Sequence, residues 1–430
     1  MEGKNMSKKY FEFDVDYIRE QFPALSKTVN GKPAAFLDGP GGTQVPKRVV
    51  DQISDYLYMT NANHDGVFKT SVESDARYLK GKEAFADFFN CRSDEIIFGE
   101  NTSSINFKIS YAFARLFEPG DEIIITDIDH EGNRSPWRTL EDFGIVVNSV
   151  NINTSDITLD FEDFKSKLSN RTKLLAINWA ANSCGTITDV KKFIAEAHKV
   201  GALTIVDAVH YAPHRYIDVK DIDTDILVCS SYKFFGPHYG IAYIRKELGD
   251  SLKSVRVMAD DNFDMPVKFE TGTPAMELTA GAAEAVEFIA DVGRHHMSHF
   301  REETSELTGR RREIVAGMMA IDEYEERLAA QLREGLRAKK GVKVYGPKDG
   351  AERTSTVSFD IEGENSNDIA KFLAELGIFV WDGNYYALET ITNVLKLESQ
   401  GGLVRIGLAP YTIQDDIDRV LQAVDDYING

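Results

Sequence analysis

Residues 203–240 read LTIVDAVHYAPHRYIDVKDIDTDILVCSSYKFFGPHYG. Two short apolar runs, LTIV and ILVC, are separated by a polar stretch with turn and helix character. Each run stops at a polar residue on its carboxyl side. Asp207 closes the first, and Lys233 follows the second, 26 positions later (233 − 207). A strand–helix–strand unit of this kind lays two parallel strands side by side, so both residues reach one edge of one sheet. In open α/β sheets, that carboxyl edge is where ligands bind.

The same texture repeats outward from this unit. EIIFGE (95–100), DEIIITD (121–127), IVVNSV (145–150), KLLAINWA (173–180) and GIAYIR (240–245) are further strand candidates. Helical patterns such as DARYLKGKEAFADFF (75–89) and DVKKFIAEAHKVG (189–201) lie between them. Continuous apolar strands alternating with amphipathic helices predict an α/β fold around a mostly parallel seven-stranded sheet covered on both faces. Upstream, a short helix (DVDYIREQF) stops at Pro23. AAFLDGPGGTQVP (34–46) then reads as a short strand entering a Gly/Pro-rich loop.

After about residue 275 the texture changes. A long charged stretch with opposite charges at i, i+4 suits solvent-facing helices. KVYG, TSTVSFDI, NDIAKFLAELG, IFVWDG, LVRIGLA and DDIDRVLQAVDDYI follow, the pattern of a smaller α+β domain.

Composition narrows the function classes. The chain has 430 residues and a net charge of −20. That charge argues against nucleic acid and against docking on anionic lipid. Its three cysteines, Cys91, Cys184 and Cys229, form no CxxC pair, so neither a zinc site nor a disulfide scaffold is expected, and no metal site is assigned. The polar N-terminus has no apolar signal core, and no window is long enough to span a bilayer, so a cytoplasmic location is the default expectation.

Several residues point to chemistry. A lysine just past a strand end faces the ligand crevice, and its amine can form a Schiff base with an aldehyde. An aspartate at the neighbouring strand end can pair with a protonated ring nitrogen, or it can simply cap the next turn. In IIFGENTSSINF (96–107) hydroxyls and free N–H groups meet a helix start, an arrangement suited to phosphate or to a plain N-cap. In ITDIDHEGNRSPW (125–137), His130 follows a strand end, where it can lie flat on a planar group.

Together, FLDGPGGTQVP, ENTSSIN, DHEGNRSPW, NSCGT, VDAVH, SSYKFFGP, ETGTPAMEL and VRIGLAPY resemble the class V aminotransferase family of fold-type I pyridoxal 5′-phosphate (PLP) enzymes, in its cysteine desulfurase-like branch. The resemblance implies a large PLP-binding domain over 31–285. Residues 1–30 and 286–430 would form the smaller domain. It also implies that Lys233 holds PLP as a Schiff base, that Asp207 pairs with the ring nitrogen and that His130 stacks on the ring. Asn182 and His210 would lie near the ring's phenolic oxygen. Asn101, Thr102, Ser103 and Ser230 would bind the phosphate. Thr273 would reach the phosphate of a neighbouring subunit, which implies a homodimer with shared sites. Arg405 would clamp the carboxylate of an amino-acid substrate, and burial within LVRIGLA favours this over a surface ion pair.

Two departures matter. Desulfurases of this branch carry a persulfide-forming cysteine on a small-domain loop. The loop here reads VWDGNYYALE, with Tyr386 at that place. The residue before the lysine is Tyr232 rather than His, as in kynureninases. It can bind phosphate or supply a proton. Tyr385 and Tyr386 can line the pocket or pack in the small domain. The expectation is a Cβ–S lyase acting on cysteine or a related β-substituted amino acid. The alternatives are an aminotransferase, a kynureninase-like hydrolase and, from another class, a non-catalytic PLP-binding sensor. The role of Asn63, His64 and Asp65 stays open between a loop entering a partner's site and a plain turn.

Overall fold

The computed structural model describes residues 11–257 and 264–430. The N-terminal residues 1–10, part of the stretch read as a polar start, lie outside the described residues.

All seven strand candidates form strands of one sheet. They are β1 (Ile96–Gly99), β2 (Glu122–Thr126), β3 (Val146–Val150), β4 (Thr172–Asn178), β5 (Leu203–Asp207), β6 (Ile226–Ser230) and β7 (Gly240–Ile244). The order across the sheet is β1-β7-β6-β5-β4-β2-β3. β7 runs antiparallel to both of its neighbours, and the remaining pairings are parallel.

The pleat explains why these strands read as unbroken apolar runs. Phe98, Ile124, Leu175, Val206, Leu227 and Ile241 enter one core, while Ile97, Ile125, Leu174, Ile205, Val228 and Ala242 enter the core on the opposite face. Where both faces are buried there is no polar alternation to see, and only the edge strand β3, with Asn148 and Ser149, departs from this.

Helices α1 (Lys69–Phe89), α2 (Thr102–Ala114) and α3 (Val190–Lys199) accompany this sheet. The charged stretch becomes α4 (Met276–His296) and α5 (Gly309–Arg337). Both bury a wider face than i, i+4 charge pairs suggested. A Cβ on Gly293 would lie 1.8 Å from the Glu313 carbonyl oxygen, and one on Gly317 would lie 2.2 Å from that of Ile289. Glycine at both places lets the two backbones touch, so these helices pack on each other as well as facing solvent. Residue 285 falls inside α4, which carries the chain without a break out of the segment expected as the large domain.

The C-terminal part holds a four-stranded antiparallel sheet of β8 (Val342–Tyr345), β9 (Thr356–Ile361), β10 (Trp381–Gly383) and β11 (Leu403–Gly407), in the order β8-β9-β11-β10. Helices α6 (Ser366–Glu375) and α7 (Gln414–Asn429) complete it. IFVWDG does not form one strand. Ile378–Phe379 pairs in parallel with Ala35–Phe36, and Trp381–Gly383 joins β11. This split ties the N-terminal segment to the C-terminal unit. So do Tyr17, whose hydroxyl donates to Asp291 at 2.6 Å, and Arg19, which donates to the Tyr411 carbonyl at 2.5 Å. Among the described residues, no helix is long and apolar enough to cross a membrane.

Candidate active site

The carboxyl ends of β1, β2, β4, β5 and β6 open onto one cavity of about 890 Å³, closed on the far side by the loop after β10 and by β11. Asp207 is the last residue of β5 and Ser230 the last of β6, with Lys233 in the turn that follows. Lys233, Asp207, His130 and Arg405, from four separate segments, all border this cavity.

The Lys233 ammonium donates to the Pro40 carbonyl and lies 4.8 Å from the Tyr232 ring centroid. Part of its surface faces the cavity, but the walls stand close enough that desolvation dominates. Burial first, and then the Arg405 charge, lower its pKa to about 7, with Asp207 opposing. One Asp207 oxygen accepts the Val209 N–H at 2.8 Å, so the residue caps its turn as well as facing the cavity. Burial raises its pKa to about 6 against that hydrogen bond and the Lys233 charge.

His130 follows β2. Its Nδ1 accepts the Gly132 N–H at 2.8 Å, which assigns the proton of the neutral ring to Nε2. Burial, with the charges of Lys233 and Arg405, lowers its pKa to about 4. The ring is therefore neutral at physiological pH.

At the start of α2, the Asn101 side chain accepts the Ser104 N–H at 2.8 Å and caps the helix. The hydroxyls of Thr102 and Ser230 lie 2.6 Å apart, and Ser103 borders the same cavity. Hydroxyls at a helix N-terminus form an anion-binding corner. Tyr232 stacks on His238, with centroids 4.6 Å apart and planes 8° apart.

Arg405 lies in the middle of β11 and is 4% exposed. Its Nη1 donates to the Asn182 carbonyl at 2.8 Å, and its guanidinium carbon sits 3.9 Å from the Tyr385 ring centroid. Among the described residues, no carboxylate forms an ion pair with it, and Nε has no partner. Burial lowers its pKa to about 10, against the influence of Tyr385 and Tyr232. A surface ion pair is thus excluded.

The remaining expected residues divide. Asn182 borders the cavity, donates to the Tyr385 carbonyl at 2.9 Å and leaves Oδ1 buried without a partner. His210 borders the cavity, but its Nε2 is engaged by the hydroxyls of Thr356 at 3.0 Å and Thr354 at 3.2 Å. Thr273 lies on the exposed surface, its hydroxyl 3.5 Å from Asn63 Oδ1, and does not border this cavity. Asn63, His64 and Asp65 lie beside it in the turn between Tyr56–Thr60 and α1. Tyr385 is half-buried, its ring over Arg405, whereas Tyr386 stands at the mouth with its ring 5.5 Å from that of His130. Both adopt positive φ, 55° and 58°, a region that costs a bulky residue about 1–3 kcal/mol.

Some residues escaped sequence reasoning. Asn178 ends β4 and leaves its Oδ1 buried without a partner at the cavity wall. A polar residue closing an apolar strand was its available signal. Gly41 also lines the cavity, and a Cβ there would meet the Trp381 indole nitrogen at 1.9 Å.

Asp129 is fully buried between Thr126, whose hydroxyl donates to it, and Asn133, which donates at 2.9 Å. Burial raises its pKa to about 8, against these two hydrogen bonds. The unfolded chain loses this proton near pH 4 and the folded chain near pH 8, so stability falls as pH rises through that window. Asp129→Asn keeps a neutral partner for both neighbours. Melting curves from pH 5 to 8 are expected to show its advantage over the wild type widening with pH.

The family profile described as Aminotransferase class-V matches residues 35–314 and 312–420. An aminotransferase-like protein of Gibberella zeae is 32% identical over 96% of this chain and 98% of its own length. A cysteine desulfurase of Pectobacterium carotovorum is 29% identical over 95% and 97%. Among solved structures, the apo cysteine desulfurase of Thermococcus onnurineus superposes with a TM-score of 0.83 at 24% identity, covering 98% of this chain and 99% of that one. That last likeness establishes the fold-type I architecture, a large mixed sheet with a smaller C-terminal unit. The profile match establishes more: the chain belongs to the class V aminotransferase family, whose members are PLP-dependent enzymes.

Proposed function

We propose that this protein is a PLP-dependent Cβ–S lyase. It takes cysteine or a related β-substituted amino acid and releases the sulfur substituent as sulfide or thiol, leaving pyruvate and ammonia after hydrolysis. One observation carries the choice. Tyr385 and Tyr386 occupy the small-domain loop and border the same cavity as Lys233 and Arg405, while none of the three cysteines lines it. Cys184 and Cys229 are buried, and burial holds the Cys91 and Cys229 thiols well above their usual range. No protein thiolate is placed to take sulfur, so sulfur leaves with the product.

The residues present fit the cofactor. The orphaned oxygens of Asn178 and Asn182 call for donors at the cavity wall, and the Thr102–Ser230 corner suits a phosphate. Lys233 would hold the aldehyde carbon, Asp207 the protonated ring nitrogen, and neutral His130 the ring face. When bound, PLP supplies an electron sink for charge developed at Cα.

The chain's own groups do the rest. Arg405, which lacks a carboxylate partner, seats the substrate carboxylate. The lowered pKa of Lys233 lets its free amine take the Cα proton at neutral pH. Burial raises the Tyr232 hydroxyl's pKa, so it stays protonated and can donate to the departing sulfur.

Transamination is the second reading, favoured by the aminotransferase-like relative. It also begins with removal of the Cα proton. Pyruvate release from a panel of cysteine derivatives tests the lyase directly. The lyase assignment fails if none turns over while an amino acid and then a keto acid cycle the cofactor's absorbance.

A homodimer with shared sites fits the surface around Thr273. Tyr58 and Met59, in Tyr56–Thr60, and Val67 and Phe68, in the turn that carries Asn63–Asp65, are exposed apolar side chains of the sort that subunit contacts cover. Three free thiols suit a reducing, cytoplasmic setting.

A further inference from the structure

Tyr385 and Tyr386 are neighbours with opposite fates. The Tyr385 ring is spent inside the protein. It lies over Arg405, and its hydroxyl donates to the Leu403 carbonyl. Tyr386 makes its hydrogen bonds through its backbone alone, with its ring beside that of His130. Its carbonyl accepts the Glu131 N–H at 2.8 Å, and its own N–H donates to Asn384 Oδ1 at 3.1 Å. The residue is 67% exposed, and its hydroxyl makes no hydrogen bond among the described residues.

A large aromatic side chain in left-handed backbone, bolted to the segment that carries His130 yet bare at the tip, is built to present its ring. Phe107 at 47% and Trp381 at 46% exposure border the same cavity, as does Pro136. The cavity volume lies towards the upper end of ligand sites, about 300–1,000 Å³.

Charge narrows the guest. Among the described residues, Lys233 and Arg405 are the lysine and arginine side chains bordering the cavity. Both are committed in the lyase reading. Glu131, at the rim, is already engaged by Ser135 at 2.7 Å and Arg134 at 3.3 Å. A second acidic group on the substrate would find no counter-charge.

We propose that Tyr386 is the specificity-determining platform for the substrate's β-substituent, and that this substituent is an uncharged aromatic or extended apolar group carried on sulfur. The inference rests on the Cβ–S lyase reading for the reaction, but not for the binding.

The test compares L-cysteine, S-methyl-L-cysteine, S-benzyl-L-cysteine and cysteine sulfinate on holoenzyme, wild type, Tyr386→Ala and Tyr386→Phe. S-benzyl-cysteine is expected to show the lowest KM and cysteine sulfinate the highest. Tyr386→Ala is expected to raise KM for the benzyl substrate about ten-fold with little change in kcat, and Tyr386→Phe to preserve it. Equal KM shifts for cysteine and S-benzyl-cysteine in Tyr386→Ala would make Tyr386 a loop anchor and overturn the proposal.

Calorimetry separates the two readings. 3-(Benzylsulfanyl)propanoate, which cannot react, is expected to bind wild-type holoenzyme more tightly than 3-sulfanylpropanoate, and to lose that advantage in Tyr386→Ala. That result without turnover of any substrate would retain the platform and reject the lyase. Equal binding of the two acids would reject the platform whatever the turnover.

Discussion

Lys233→Ala is expected to leave less than about one part in 10⁴ of wild-type turnover, the upper range for loss of a positioned general base. The argument starts from its surroundings. An ordinary lysine amine is almost wholly protonated at pH 7. Here burial and the Arg405 charge lower the pKa to about 7, so a large fraction is neutral and able to accept a proton. Lys233→Arg separates charge from proton transfer. The guanidinium keeps the positive charge opposite Asp207 but cannot be deprotonated in this range. Both variants are therefore expected to be inactive, and both to lack the borohydride-stable cofactor label expected at this position in the wild-type protein. Added methylamine is expected to restore part of the Lys233→Ala activity, because the cavity has room for a small free amine. Retention of the label, or of more than a hundredth of the turnover, would remove Lys233 from the centre of the site.

The fold was legible because its signals are local. Six strands of the large sheet are apolar runs buried on both faces, and such runs stand out in a linear sequence; the edge strand β3, with Asn148 and Ser149, is only partly covered. Asp207 and Lys233 were legible for the same reason, each following such a run. What escaped depends on distant segments meeting. Pro40 offers its carbonyl to Lys233 across 193 positions, and Gly41 admits the indole of Trp381. Neither contact leaves a periodicity to read. IFVWDG can be taken for one strand because IFVW is an unbroken run of strand-forming residues. Its division between two sheets is decided by its partners, Ala35–Phe36 and β11. Asn178 is a plain strand-end asparagine until the unsatisfied oxygen is placed beside the cavity. The engagement of His210 by Thr354 and Thr356 required the C-terminal sheet to dock against the turn after β5.

Arg405→Leu is expected to reduce kcat/KM by about 10³ or more, while leaving the unliganded protein as stable as wild type or more so. The two halves share one cause. A bidentate guanidinium–carboxylate pair contributes two charge-assisted hydrogen bonds, each about 1.5–3 kcal/mol, and leucine offers neither. In the free protein, however, the guanidinium is buried with one carbonyl acceptor, an aromatic face and no carboxylate. Burying a charge without its counter-ion costs stability, and an apolar side chain of similar volume removes that cost. Arg405→Lys keeps the charge but not the planar fork, and should fall between, with kcat/KM reduced about 10²-fold, mostly through KM. Thermal melts without substrate, set beside steady-state kinetics, decide the matter. If Arg405→Leu melted well below wild type, the guanidinium would be a structural element of β11. If it melted level or higher while binding collapsed, the strand would be holding a charge whose partner arrives only with the substrate.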